Sequence, residues 1–132
     1  MAVREFYDFV DARGRNAIDL WITALGVAGP AVSAELDSLL PHLETVPTFG
    51  KRPYCAPLSG TGCRGLYEIR LNVKRVQYRL ICYQGPNHGE VTLLCGAVEK
   101  GGRFTSPRDP CAVGQDRIQQ IECGDASHER HL

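Results

Sequence analysis

Between Arg64 and Tyr83 apolar and polar residues alternate in two runs flanking a short polar turn. Period-two alternation on either side of a turn predicts a β-hairpin. Side chains two apart on a strand share a face. Tyr67, Ile69, Leu71 and Val73 therefore fall on one face of the first strand, and Glu68, Arg70 and Asn72 on the other. On the return strand Val76, Tyr78, Leu80 and Cys82 oppose Gln77, Arg79, Ile81 and Tyr83. In the simplest register Arg70 and Arg79 share one surface with Glu68 and Gln77. The apolar face is expected to pack on helices and the guanidinium face to look outward.

The rest of the chain follows from the same patterning. Residues 2–10 form an aromatic-rich run that reads as a first strand, closed by a turn over Asp11–Arg15 around Gly14. Asn16–Leu25 places Ile18, Trp21, Ile22 and Leu25 on one helical face, the spacing of a buried stripe. Gly26 and Gly29-Pro30 separate it from a second helix, Ala31–Leu40, which Pro41 is expected to kink or end. Residues 45–63 are too rich in Pro and Gly for a regular element. After a turn at Gly85–Gly89, Glu90–Val98 is almost continuously apolar and predicts a strand covered on both faces. Glu99–Arg103 reads as a mobile basic loop. Pro107–Ile121 is a possible last helix, and residues 124–132 form a polar tail expected to fray. The order is β-α-α-β-β-β-α, an α+β domain over 1–123 with a helical hairpin on one face of a small sheet.

Charge sharpens this picture. The formal net charge of the 132 residues is zero, but its distribution is uneven. Residues 1–47 hold 3 Lys/Arg and 7 Asp/Glu (3 − 7 = −4), residues 48–110 hold 10 and 4 (10 − 4 = +6), and residues 111–132 hold 2 and 4 (2 − 4 = −2). Positive charge concentrates around the hairpin, which favours an anion-facing surface there. Fixed guanidiniums on a sheet suit phosphate recognition through their planar fork of donors.

Candidate chemistry elsewhere is sparse. The six cysteines include no CxxC pair, so neither a zinc knuckle nor a thioredoxin-like site is indicated. Cys82 and Cys95 read as buried small hydrophobes, while Cys55 and Cys63 flank a loop where they could bridge or oxidise. His42, His88, His128 and His131 read as surface residues. No apolar run reaches membrane-spanning length and no leader is legible, so a cytoplasmic chain with no membrane partner is expected.

The Leu58-Ser59-Gly60 approach, Leu66-Tyr67-Glu68-Ile69-Arg70, Val76-Gln77-Tyr78-Arg79-Leu80 and Leu93-Leu94-Cys95-Gly96-Ala97-Val98-Glu99-Lys100 together resemble the RelE/ParE toxin superfamily, in its HigB-like, phage-derived branch. The likeness runs from about Val3 to Ile121. It implies a RelE-like fold and the toxin of a type II toxin–antitoxin pair. Such a toxin inhibits translation as a ribosome-dependent mRNA endoribonuclease that uses no metal or other cofactor and leaves 2′,3′-cyclic phosphate ends. Its implied partners are a helix-turn-helix antitoxin, the ribosome and mRNA. By position the resemblance makes Arg70, Arg79 and Lys100 the phosphate-holding set, and Glu68 either a weak general base or an ion-pair partner that orients Arg70. Lys51, Arg52, Arg64, Arg75 and Arg103 are the candidate RNA-binding cations. Two alternatives accompany this reading: a non-enzymatic ParE-like toxin that binds DNA gyrase, and an inactive prophage remnant. The sequence departs from the family in its pI near 6.9, in lacking a C-terminal tyrosine, and in having no histidine on the matched strands.

Overall fold

The computed structural model describes residues 3–132. Met1 and Ala2, where the predicted first strand and the domain were expected to begin, lie outside the described residues. The fold is α+β, and among the described residues it comprises a mixed seven-stranded sheet and three α-helices. Strand β1 is Glu5–Val10, β2 Cys55–Pro57, β3 Tyr67–Val73, β4 Val76–Gln84, β5 Glu90–Lys100, β6 Arg103–Ser106 and β7 Ser127–Arg130. The helices are α1 Ala17–Ala24, α2 Gly29–Thr45 and α3 Pro110–Glu122. The main path of the sheet runs β2-β3-β4-β5-β1-β7, and β6 pairs with β5. Only β1 and β5 run parallel, and the other pairs are antiparallel.

The hairpin forms in the expected register, with Ile69 opposite Leu80, Arg70 opposite Arg79 and Leu71 opposite Tyr78. Its apolar face packs with Ile18, Val32, Leu36, Leu40 and Leu43 of α1 and α2 into the main core. Trp21 of α1 lies directly over Gly96 of β5, where an added Cβ would meet the indole ring at 2.0 Å. The other face is not a free polar surface. A second core of Phe9, Leu66, Ile81, Tyr83, Leu94 and Cys95 packs there with α3 through Cys111. Burial of β5 on both faces explains its apolar run.

Several elements differ from expectation. Helix α2 continues through Pro41 to Thr45, because its apolar stripe extends to the buried Leu43. Arg4 meets the helix end, donating from Nη1 to Leu43 O at 2.6 Å and Val46 O at 2.7 Å. A cation at a helix C-terminus satisfies carbonyls that have no partner within the helix. Helix α3 starts at Pro110, capped by Asp109, and not at Pro107. Glu99–Arg103 is not a loop: β5 runs to Lys100 and turns through Gly101-Gly102 into β6.

The tail does not fray. Strand β7 pairs antiparallel with β1. Arg130 reaches Glu5 at 2.8 Å, and His131 is held between Asp8 and Asp37. His128 binds Glu90 at 2.9 Å. His128 and His131 are thus structural groups, whereas His42 and His88 are exposed as expected. Cys55 is buried and free, and Cys63 bridges to Cys111. That disulfide ties the loop before β3 to the first turn of α3. Among the described residues no single helix is long and apolar enough to cross a membrane.

Candidate nucleic-acid interface

The charged face of the hairpin is a compact ion cluster. Glu68 and Arg70 alternate on β3, Gln77 and Arg79 on β4, and Glu99 stands opposite Gln77 on β5. Arg70 Nε donates to Glu68 Oε2 at 2.6 Å. Arg79 lies with its Nε 3.6 Å from the same oxygen and its Nη2 3.2 Å from Glu99 Oε1. Its Nη1 donates to Tyr78 O at 3.0 Å, and Nη2 also donates to Gln77 Oε1. Arg79 Nε is buried without a hydrogen-bond partner.

Burial separates the two arginines. The Arg79 side chain is 5% exposed and Glu68 6%, while Arg70 keeps 30%. The expectation that both guanidiniums look outward therefore fails for Arg79. A buried cation needs anionic partners, and Glu68 and Glu99 supply them. Two arginines and two glutamates leave this cluster formally neutral. Of the two arginines, only Arg70 keeps donors for an outside ligand.

Arg70 opens onto a cleft of about 270 Å³ shared with Tyr54, Asn72, Gln77 and Arg79. Short β2 makes this possible. It covers Tyr67–Ile69 and stops, and Arg70 N–H donates to Tyr54 O at 2.8 Å. The edge of β3 beyond is left open, walled by the exposed Tyr54 ring. Tyr54 and Pro53 also line a second cleft of about 340 Å³ with His42, Lys51 and Arg52. His42 stacks edge-on against Tyr54, ring centres 5.8 Å apart. The two clefts share Pro53 and Tyr54 in their walls, so Lys51 and Arg52 lie in the cleft next to that of Arg70.

The other predicted cations lie apart. Side chains alternate along β5, so Lys100 takes the side of Val98 and Gly96, opposite to Glu99 and the arginines. It does not join Arg70 and Arg79, with which the resemblance groups it. Arg75 sits at the β3–β4 turn and Arg103 beside Lys100 at the β5–β6 turn, which pairing places at the same end of the sheet. Arg64 precedes β3 at the opposite end. All of these, with Lys51 and Arg52, are exposed. Tyr54 is the groove residue that sequence reasoning missed. Its signal was an aromatic next to Lys51-Arg52-Pro53, inside a segment read only as loop.

No protein-family model, curated protein or solved structure matches this chain.

Proposed function

We propose that this chain is a RelE/HigB-like toxin that binds RNA along the Lys51–Arg52–Tyr54–Arg70 groove and cleaves mRNA in the ribosome. The observation that carries the reading is Arg70: a half-buried guanidinium, oriented by Glu68 at 2.6 Å, in a cleft whose exposed aromatic wall, Tyr54, also bounds the neighbouring cleft of Lys51 and Arg52. Lysine and arginine along a groove track a phosphate backbone, and an exposed ring offers a base a stacking surface. A helical pair followed by the antiparallel β3-β4-β5 and a last helix supports the reading, although short β2, β6 and β7 are present besides.

In this reading Arg70 holds the scissile phosphate while the RNA 2′-oxygen attacks phosphorus. The bond to the 5′-oxygen breaks, the 2′-hydroxyl proton is lost and the leaving oxygen gains one. The product is a 2′,3′-cyclic phosphate and a 5′-hydroxyl. Glu68 serves as the partner that orients Arg70, its Oε2 accepting from Arg70 Nε at 2.6 Å. Arg79 holds Glu68 in place from beneath. The neutralised Arg79 and the opposite-facing Lys100 favour a second, binding-only reading of the ParE kind. A helix-turn-helix antitoxin would meet the acidic helical region, residues 14–45, and leave the groove open. The cytoplasm is the compartment this activity requires.

Translating ribosomes with a defined mRNA, incubated with the purified chain, test the reading. Cyclic-phosphate 3′ ends that vanish with Arg70→Ala support it. Inhibition of gyrase supercoiling without cleavage would establish the binding-only alternative, and inactivity in both assays an inert remnant.

A further inference from the structure

The largest cleft among those described lies away from the groove, where the sheet splits. On the side of β5 away from β4, Glu90–Leu93 pair with β1 and Val98–Lys100 with β6. Residues 94–97 have no strand partner there. Leu94 O is taken instead by Arg117 Nη1 from α3, at 2.6 Å. The opening above this gap has a volume of about 480 Å³, within the roughly 300–1,000 Å³ of small-molecule sites. One wall is Trp21, seated on Gly96, with Ala17 and the exposed Leu20 beside it. The other is Phe9, whose ring centre lies 5.1 Å from the Arg117 guanidinium carbon, together with Val113.

The charges in this cleft are unbalanced by one. Asp11, Arg15 and Arg117 line it, and Asp11 is matched to Arg15 at 2.8 Å. Burial pushes the Cys95 thiol up to about 12, so it stays neutral. Among the described residues Arg117 has no carboxylate partner, and Nη1 to Leu94 O is the one hydrogen bond its side chain makes. A guanidinium anchored over an aromatic ring presents its remaining donors to one carboxylate.

We propose that this cleft is a binding site for a flat aromatic monocarboxylate, its ring against Trp21 and its carboxylate on Arg117, which the buried Phe9 backs. A single unmatched positive charge beside Asp11 selects a monoanion over a phosphate dianion. The site is independent of the RNA groove and of the toxin reading.

Trp21 is the single tryptophan, so its indole N–H gives one assignable resonance in the cleft. The test titrates 2-naphthoate and its neutral counterpart 2-naphthamide into the folded chain. The proposal expects a saturable shift of that resonance by the carboxylate, with the amide about tenfold weaker for loss of the charged hydrogen bonds. Arg117→Gln should remove the preference for the carboxylate, and Ala17→Phe, which fills the cleft, should remove both responses. No saturable shift in the wild type, or equal binding of acid and amide, would overturn the proposal. That comparison stands on the wild type alone even where a variant fails to fold.

Discussion

Arg70 and Arg79 stand directly opposite each other on β3 and β4 and share Glu68, yet only Arg70 reaches solvent. Their replacements should therefore part company. Arg70→Ala removes a half-exposed ion pair and is expected to change stability by less than about 1 kcal/mol, while abolishing RNA cleavage. Arg79→Ala strips Glu68 and Glu99 of a buried cation and should cost about 3–5 kcal/mol. Chemical denaturation of both variants checks this. Equal stabilities would mean that the buried cluster is not structural.

The hairpin register was legible because alternation fixes which residues share a face, and turn length then fixes the pairing. Alternation did not reveal that this face also carries a helix. Ile81 and Tyr83 continue the Arg79 row under α3, so the row passes from core to ion cluster within one strand. Strands β2 and β6, of three and four residues, are too short to show a period. Strand β7 reads Ser-His-Glu-Arg and has no apolar face at all; ion pairs to Glu5, Asp8 and Asp37 hold it and the residue after it. The two missed strand edges had consequences for function. The end of β2 opens the Tyr54 groove, and the gap between β1 and β6 opens the Arg117 cleft.

The turn between β3 and β4 places Lys74 at φ 50° and Arg75 at φ 66°. Two consecutive left-handed residues fit a type I′ turn, where Asn-Gly is strongly preferred. Side chains with a Cβ cost roughly 1 kcal/mol each in this region. The double replacement Lys74→Asn with Arg75→Gly should raise stability by about 1 kcal/mol, read from the denaturation midpoint. Should it also weaken RNA binding in low salt, the two cations contact the ligand. Unchanged binding would assign them to the solvated end of the sheet.

The Cys63–Cys111 bridge closes a loop of 48 residues. Loop-closure entropy for that length amounts to about 4 kcal/mol, less whatever structure the reduced chain retains. Reduction, or the pair Cys63→Ser and Cys111→Ser, should lower the melting temperature markedly. It should not release α3 from the folded chain, because Gln115 Nε2 still donates to Gly62 O at 3.1 Å and Arg64 O at 2.8 Å. Amide exchange in α3 under reducing conditions checks the second point, and rapid exchange confined to α3 would show that the disulfide alone retains it. Disulfides are rare in reducing compartments, so the size of this loss measures how far the fold depends on oxidation.

His131 joins the end of the chain to two elements at once. Its Nδ1 bonds Asp8 Oδ1 on β1 at 2.8 Å and its Nε2 bonds Asp37 Oδ1 on α2 at 2.9 Å. Asp8 is buried, and its other oxygen accepts from Asn16 at 2.9 Å. Burial pulls the imidazole pKa down, but the hydrogen bonds to Asp8 and Asp37 and their charges outweigh it and carry the value up from 6.5 to about 9. A group with a raised folded pKa contributes stability that is complete below its unfolded pKa and is lost as pH rises through the folded one. The ion pairs should therefore hold β7 fully below about pH 6.5 and weaken progressively toward pH 9. Melting curves across that interval should fall for the wild type and stay flatter for His131→Asn, which keeps a polar side chain but cannot charge. Loss of β1–β7 amide protection at high pH, ahead of global unfolding, would identify the tail as the part released. Parallel pH profiles for both chains would mean that another group carries the dependence.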